Sequence, residues 1–215
     1  MIQKDSIVFI VDDDRRICEA LCELLASWNI EAVAFNAIAE YVAFPRPDRP
    51  GCLILDVELP DINGLEFQKQ IEHERHPPIV FITGHGDIPS SVRAIRRGAV
   101  DFLTKPFSES ELMTSIETAI DRDRKARLAA AELVALQERL STLTAREREV
   151  LPLVVGGLLN KQAAAELGIS EVTLQIHRGK IMRKLEAASL ADLVRIAEKL
   201  QIPVTHSRRA GTSSK

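Results

Sequence analysis

Little in this chain could staple it, anchor it in a bilayer or drive ATP-powered work. Cysteine is scarce, at three among 215 residues. That number is odd, and Cys18 and Cys22 stand one helical turn apart rather than at the spacing of a zinc pair. The sequence therefore predicts reduced, buried thiols. Long apolar runs are missing as well. The longest near the start, Ile7 to Val11, runs straight into Asp12, Asp13 and Asp14, which reads as neither a signal peptide nor a membrane span. A cytoplasmic protein with no membrane partner is the expectation. No Gly-x-x-x-x-Gly-Lys-Ser/Thr loop occurs, so nucleotide-driven remodelling is not expected. Internal repeats and low-complexity segments are lacking too, and the net charge is only −3.

That small net charge hides an asymmetry. Residues 1–140 carry 16 Lys and Arg against 24 Asp and Glu, a balance of −8, whereas residues 141–215 carry 12 against 7, a balance of +5. An acidic part joined to a basic one suggests a polyanionic partner for the basic part, nucleic acid being the commonest. With 46% apolar and 27% charged residues, the composition is that of a globular protein. The length suits one large domain or two small ones.

Short β-branched apolar runs at 7–11, 31–35, 52–57, 79–83 and 100–103 alternate with stretches of helical spacing. Runs that are apolar at every residue, such as Ile7-Val8-Phe9-Ile10-Val11, fit strands buried on both faces of a parallel sheet covered by helices. The expected fold class is α/β, a doubly wound five-stranded parallel sheet, over residues 1–121. After Pro106 the pattern turns wholly helical, with neither Gly nor Pro from Phe107 to Leu151. The closing helix of the sheet domain is expected to run on as a helical linker over 122–140. Its leucines, Leu133, Leu136 and Leu140, suit either a coiled-coil dimer seam or the cover of a neighbouring domain.

Thr144 and Glu147 form a Thr-x-x-Glu capping box that opens an all-α domain over 141–201. Four helices are expected, at 145–155, 160–167, 171–185 and 190–200. Ser170 is placed to cap the third, and the short turn from Leu167 to Ser170 is helix-turn-helix grammar. Pro152 falls inside the first of these helices, where it removes an amide donor and should kink it. Residues 202–215 read as a flexible tail.

Ligands of an open parallel sheet bind beyond the carboxyl ends of its strands. Asp12 and Asp13 end the first predicted strand, Asp56 ends the third, Thr83 ends the fourth and Lys105 follows the fifth. Three clustered carboxylates call for a cation, and an all-oxygen set suits Mg2+. Thr83 and Lys105 can supply a hydroxyl and a positive charge to an oxyanion. His85 on the nearby loop could gate water or a partner, although such loop histidines commonly do neither. His73 and His76 lack an evident third metal ligand.

The strings Val11-Asp12-Asp13-Asp14, Leu55 to Gly64, Thr83-Gly84-His85-Gly86-Asp87 and Phe102-Leu103-Thr104-Lys105-Pro106-Phe107 resemble the receiver domain of two-component response regulators. The resemblance implies that Asp56 is the phosphoacceptor, attacking the phosphohistidine of a sensor histidine kinase. It implies that Asp13, Asp56 and the backbone carbonyl of Glu58 bind Mg2+ with Asp12 assisting, and that Thr83 and Lys105 contact the phosphoryl oxygens. It further implies that Phe102 is a switch aromatic and that the Lys105–Pro106 bond is cis. A carboxylate nucleophile, a metal and a lysine are a physically coherent set for forming an acyl phosphate.

The basic half reads Leu-Thr-Ala-Arg-Glu-Arg-Glu-Val-Leu from Leu143, then Asn160-Lys161-Gln162, Glu171-Val172-Thr173-Leu174, Ile176-His177-Arg178 and Ser189 to Val194. It is similar to the LuxR-type helix-turn-helix domain of the NarL/FixJ class of response regulators. An inner face of Val172, Leu174, Ile181 and Leu185 is expected on the third helix, opposite Gln175, Arg178, Lys180, Arg183 and Lys184. Amide and cationic groups there can anchor phosphates and read base edges. By resemblance Thr173, Gln175, Ile176 and Gly179 face the major groove, and Lys161, His177, Arg178 and Lys180 lie at or near the DNA backbone. Gln175 stands where members often carry a basic residue, and Ala163-Ala164 stands for a common Ile-Ala pair.

The implied function is a phosphorylation-gated transcription regulator and not an enzyme, apart from accepting a phosphoryl group and its own dephosphorylation. Its expected partners are a sensor histidine kinase, double-stranded promoter DNA, a second copy of itself when phosphorylated, and RNA polymerase. One rival is an aspartyl-phosphate phosphatase of the haloacid-dehalogenase type, which needs a second Asp where Glu58 stands and leaves the basic half unexplained. Another is a receiver that only docks a protein while DNA binding is constitutive.

Overall fold

The computed structural model describes residues 5–72 and 74–203, and divides the chain into two compact units, Met1–Leu128 and Ala129–Lys215. His73 and the segment 204–215 of the expected tail lie outside the described residues.

In the first unit, β1 (Ile7–Val11), β2 (Glu31–Phe35), β3 (Gly51–Asp56), β4 (Ile79–Thr83) and β5 (Asp101–Thr104) form one sheet in the order β2-β1-β3-β4-β5. Every neighbouring pair is parallel. The unbroken apolar strings of β1 and β4 are explained by burial on both faces. Ile7, Phe9 and Val11 point to one core, completed by α2 (Ile38–Ala43), α3 (Gly64–Gln70) and α4 (Ile88–Arg96). Val8 and Ile10 point to the other, completed by α1 (Arg15–Ser27) and by Leu112, Ile116, Ala119 and Ile120 of α5 (Glu109–Ser141). Pleat alternation alone thus assigns each strand residue to a helix layer.

Two strands differ by one residue from expectation. β3 starts at Gly51 and β5 at Asp101, whereas hydropathy had placed the starts at Cys52 and Val100. Strands are defined by ladder pairing, here Ile7 with Gly51 and Val80 with Asp101, and a glycine or an aspartate is invisible to an apolar count.

The second unit packs α6 (Ala145–Val155), α7 (Asn160–Leu167), α8 (Glu171–Lys184) and α9 (Leu190–Lys199) around Val150, Leu151, Leu174, Ile181, Leu185 and Leu193. Leu136 and Leu140 near the end of α5 join this core, while Leu133 is partly exposed. The Thr144 capping box is complete, with the Glu147 amide donating to Thr144 Oγ1 and the Thr144 amide to the Glu147 carboxylate. Ser170 caps α8 by accepting from the Thr173 amide. Gly168 closes α7 at a φ of +63°, a left-handed conformation that favours glycine. α8 and α9 each stop one residue short of expectation, with Leu185 and Leu200 as C-caps. Pro152 lies within α6, which continues past it, the Gly156 amide donating to the Pro152 carbonyl. No described helix is long and apolar enough to cross a membrane.

Candidate functional site

The strand order reverses between β1 and β3, which opens a crevice at their carboxyl ends. Asp12 and Asp13 leave β1 there, Asp56 and Thr83 end β3 and β4, and Lys105 follows β5. The fold brings these five together from positions spread over more than ninety residues. Carboxylate oxygens of Asp12, Asp13 and Asp56 all lie within 4.8 Å of one another. The Lys105 ammonium donates to Asp12 Oδ2 at 2.7 Å and to Asp56 Oδ1 at 3.3 Å.

Burial sets the electrostatics. Asp12 is 1% exposed and Asp56 5%, whereas Asp13 is exposed to solvent. Burial of Asp56 raises its pKa, with Lys105 pulling it back and Asp12 adding to the rise, and the balance lies above the ordinary carboxylate value. Lys105 is disfavoured as a cation by its own burial, but the adjoining Asp12 and Asp56 outweigh that and hold it charged above its ordinary range. One ammonium thus faces three carboxylates, and the surplus negative charge with oxygen-only donors fits a hard divalent cation.

The surroundings hold this cluster in place. The Asp12 side chain accepts from the Asp14 amide at 2.9 Å. Its carbonyl accepts from Cys18 Sγ at 3.3 Å and Asn36 Nδ2 at 3.2 Å. Neither Cys18 nor Asn36 was singled out for such a role from the sequence, because the contact depends on α1 and β2 folding against β1. Gly64 was also missed as a site residue. A Cβ there would sit 2.4 Å from the Asp56 carbonyl oxygen, so only glycine lets α3 begin this close to Asp56. At Gly86 an added Cβ would meet the Thr104 Cγ2 methyl at 2.2 Å, a contact with an exposed side chain rather than with backbone and so a weaker constraint.

Thr83 is fully buried, its Oγ1 accepting from the His85 amide at 3.1 Å and donating to the His85 carbonyl at 3.3 Å. The Glu58 side chain is exposed and faces His85, with Oε2 3.4 Å from Nδ1. Phe102 is half-buried, its ring centroid 6.1 Å from that of Phe81. The Lys105–Pro106 peptide is cis. His76 Nδ1 lies 2.7 Å from the Pro77 carbonyl. All three cysteines are free thiols, Cys18 and Cys52 buried and Cys22 half-buried. Burial first, and then the Asp12 charge, push the Cys18 thiol up to about 11.

On α8 the predicted faces need two corrections. Val172 does not join the core but is 69% exposed. At 100° per residue it lies about 200° from the buried Leu174, and so falls on the same side as Ile176, which is 52% exposed. Lys184 does not extend freely from the outer face, since its ammonium donates to the buried Glu147 carboxylate and to the Thr142 carbonyl, at 2.7 and 2.8 Å. Lys161, Gln175, Gly179 and Lys180 are exposed, as Ile176 is, while Thr173, His177 and Arg178 are half-buried. Thr173 Oγ1 pairs with Ser170 Oγ at 2.8 Å, and Arg178 Nη1 donates to Asn160 Oδ1 at 3.1 Å. Exposed amide, apolar and cationic groups therefore share the face of α8 around Gln175, Ile176 and Lys180.

Comparison with known proteins places both halves. Residues 8–117 match the response regulator receiver domain, and residues 141–197 match the bacterial regulatory proteins of the luxR family. The chain is 46% identical to nodulation protein W of Bradyrhizobium diazoefficiens over 95% of its own length and 90% of that protein's. It is 39% identical to the transcriptional regulatory protein FixJ of Rhizobium meliloti, over 90% of this chain and 95% of the relative. A solved structure of the response regulator StyR is similar with a TM-score of 0.78 at 44% identity, covering 91% of this chain and 99% of that one.

Proposed function

The chain belongs to the two-component response regulators of the NarL/FixJ class, DNA-binding transcription regulators that work with sensor kinases, and we propose that it is switched by phosphorylation of Asp56. In this reading residues 1–121 receive the phosphoryl group, 122–140 connect, and 141–201 bind promoter DNA.

The convergence of Lys105 on Asp12 and Asp56 carries the proposal. An oxygen of Asp56 attacks the phosphorus of a kinase phosphohistidine. The new P–O bond forms as the P–N bond breaks, and the imidazole leaves with the electron pair and picks up a proton. Lys105 is placed to offset negative charge on the transferred group. Asp12, Asp13, Asp56 and the Glu58 backbone carbonyl would hold Mg2+, which supplies charge neutralisation across the phosphoryl oxygens. The acyl phosphate adds nearly two negative charges beside Thr83. The Thr83 hydroxyl, now turned to the His85 backbone, would exchange that partner for a phosphoryl oxygen and draw the loop inward, with Phe102 following. The protein is then a phosphate acceptor and its own dephosphorylating agent, without another catalytic activity.

Phosphorylation favours a homodimer in this reading, and two basic domains then engage half-sites about one helical turn apart. Gln175, Ile176, Thr173 and Gly179 face base edges, while Lys161, His177, Arg178 and Lys180 lie at the phosphates. RNA polymerase is the downstream partner, and the cytoplasm is where kinase, DNA and polymerase meet. Light scattering of the full chain before and after a small phosphodonor tests the dimer step. A monomer mass that rises toward twofold is expected, and an unchanged mass in fully phosphorylated protein contradicts it.

A further inference from the structure

At the opposite end of the sheet from Asp56, where β3 and β4 begin, the first unit holds a cavity of about 200 Å³ lined by Arg46, Arg49, Arg75 and Arg127. Two proline-rich loops, touching it through Pro47 and Pro77, supply most of its walls, and Phe9 of β1 and Arg127 of α5 complete them. Pro45, Pro47 and Pro50 precede β3, and Pro77 and Pro78 precede β4, together half of the chain's ten prolines. Fixed φ angles make such walls stiff, so an occupant would find its donors already placed.

The four guanidiniums are unequally satisfied. Arg127 is held by the buried Asp123 at 2.7 Å, and Arg49 by Glu31 at 2.5 Å. Among the described residues Asp48 is the single carboxylate shared by two of them. It pairs with Arg127 and lies 3.6 Å from Arg75, although its own side chain is 87% exposed. Among the described residues no carboxylate is within ion-pair distance of Arg46, whose guanidinium rests 5.3 Å from the Tyr41 ring centroid and donates to the Tyr41 hydroxyl. Arg49 Nε is buried with no partner among the described residues, and a buried donor left unpaired is costly.

We propose that this cavity is a second anion site, for the phosphate group of a small molecule or for free phosphate, with Asp48 as its built-in competitor. With Asp48 swung out into solvent, Arg46, Arg75 and one edge of Arg127 present cationic forks with no carboxylate between them. That charge suits a dianion better than a monocarboxylate, and the planar forks match phosphate oxygens in pairs.

The test is heteronuclear NMR of the full chain, following the Arg Nε–H resonances in Mg2+-free buffer at constant ionic strength. Inorganic phosphate and glycerol phosphate are titrated in turn. Saturable shifts of Arg49 Nε–H are expected, about fivefold tighter in Asp48→Asn, as loss of a surface ion pair of this kind allows. Arg75→Gln and Arg46→Gln should each weaken binding at least as much, with the melting temperature measured beside them. Tighter binding of glycerol phosphate identifies an organic phosphate as the ligand, and equal binding identifies the free ion. Absence of saturable shifts in both wild type and Asp48→Asn overturns the site, as does binding that both arginine variants leave unchanged. An Asp48→Asn chain that binds no tighter overturns the role given to Asp48.

Discussion

The two halves of the chain put their polar residues to opposite uses. In the first, Asp12, Asp56 and Thr83 are nearly inaccessible and come from three different strand ends. In the second, the polar Lys161, Gln175 and Lys180 are open to solvent, two of them on a single helix. The acyl-phosphate chemistry proposed for the first half would gain from water exclusion and fixed charges, because a nucleophile and its counter-charge act more strongly at low dielectric. Reading DNA needs side chains that reach into a groove. Among the described residues the one charged group buried in the second half, Glu147 at 2% exposure, is structural, joining the Thr144 cap to Lys184.

Breaking the second half at its buried carboxylate is the strongest way to test this contrast. Glu147→Ala removes the capping-box acceptor and one of the two Lys184 acceptors, leaving the partly exposed ammonium its Thr142 carbonyl, and should destabilise the second unit by about 2 kcal/mol while leaving the first unchanged. Separate thermal transitions for the two units, followed by calorimetry, would read it. The same residue makes a pH prediction. The Lys184 hydrogen bond, together with the Thr144 amide, outweighs burial and holds the Glu147 carboxyl below its ordinary 4.5. Its contribution is therefore complete above that value and is lost as pH falls through the lower, folded value. Chemical denaturation of the second unit from neutral pH down through 4 should show this loss, and Glu147→Gln should not.

Gly64→Ala probes the first half by geometry alone. A Cβ 2.4 Å from the Asp56 carbonyl must displace α3 or β3, at about 1 to 3 kcal/mol. Phosphoryl uptake should slow along with the stability loss. Uptake at the wild-type rate in a folded Gly64→Ala chain would show that the close approach does not position Asp56.

On the exposed side, Gln175→Ala should shift base preference at one position of the site by about 1 to 3 kcal/mol, whereas Lys180→Ala should weaken all sequences alike and lower the salt slope by about 1. Binding to a panel of duplexes at several salt concentrations separates the two. A uniform loss from Gln175→Ala would remove its base-reading role.

Legibility followed the same contrast. The strands of the first half could be read because burial on both faces writes every residue apolar, as in Ile7 to Val11, and the acidic rim followed from where those strands end. The inner supports were not legible, because Cys18 and Asn36 reach Asp12 only through tertiary packing. Gly64 was visible within the motif, but its reason was not, since a missing Cβ matters only when a backbone lies against it. In the second half, caps and breaks gave helix boundaries to within a residue, because Thr144, Ser170 and Gly168 act locally. The α8 faces were partly misread. Val172 is apolar and was assigned inward by type, although helical angle puts it beside Ile176, and Lys184 is cationic and was assigned outward, although Glu147 draws it in.

Intact mass after incubation with Mg2+ and acetyl phosphate, comparing wild type, Asp56→Asn and wild type with chelator, shows directly whether Asp56 accepts the phosphoryl group. One phosphoryl group on wild type alone is the expected result, with Asp56→Asn equally folded and unlabelled. Labelling of Asp56→Asn to the same extent, or full labelling without the divalent ion, would contradict the assignment of Asp56 and its carboxylate neighbours.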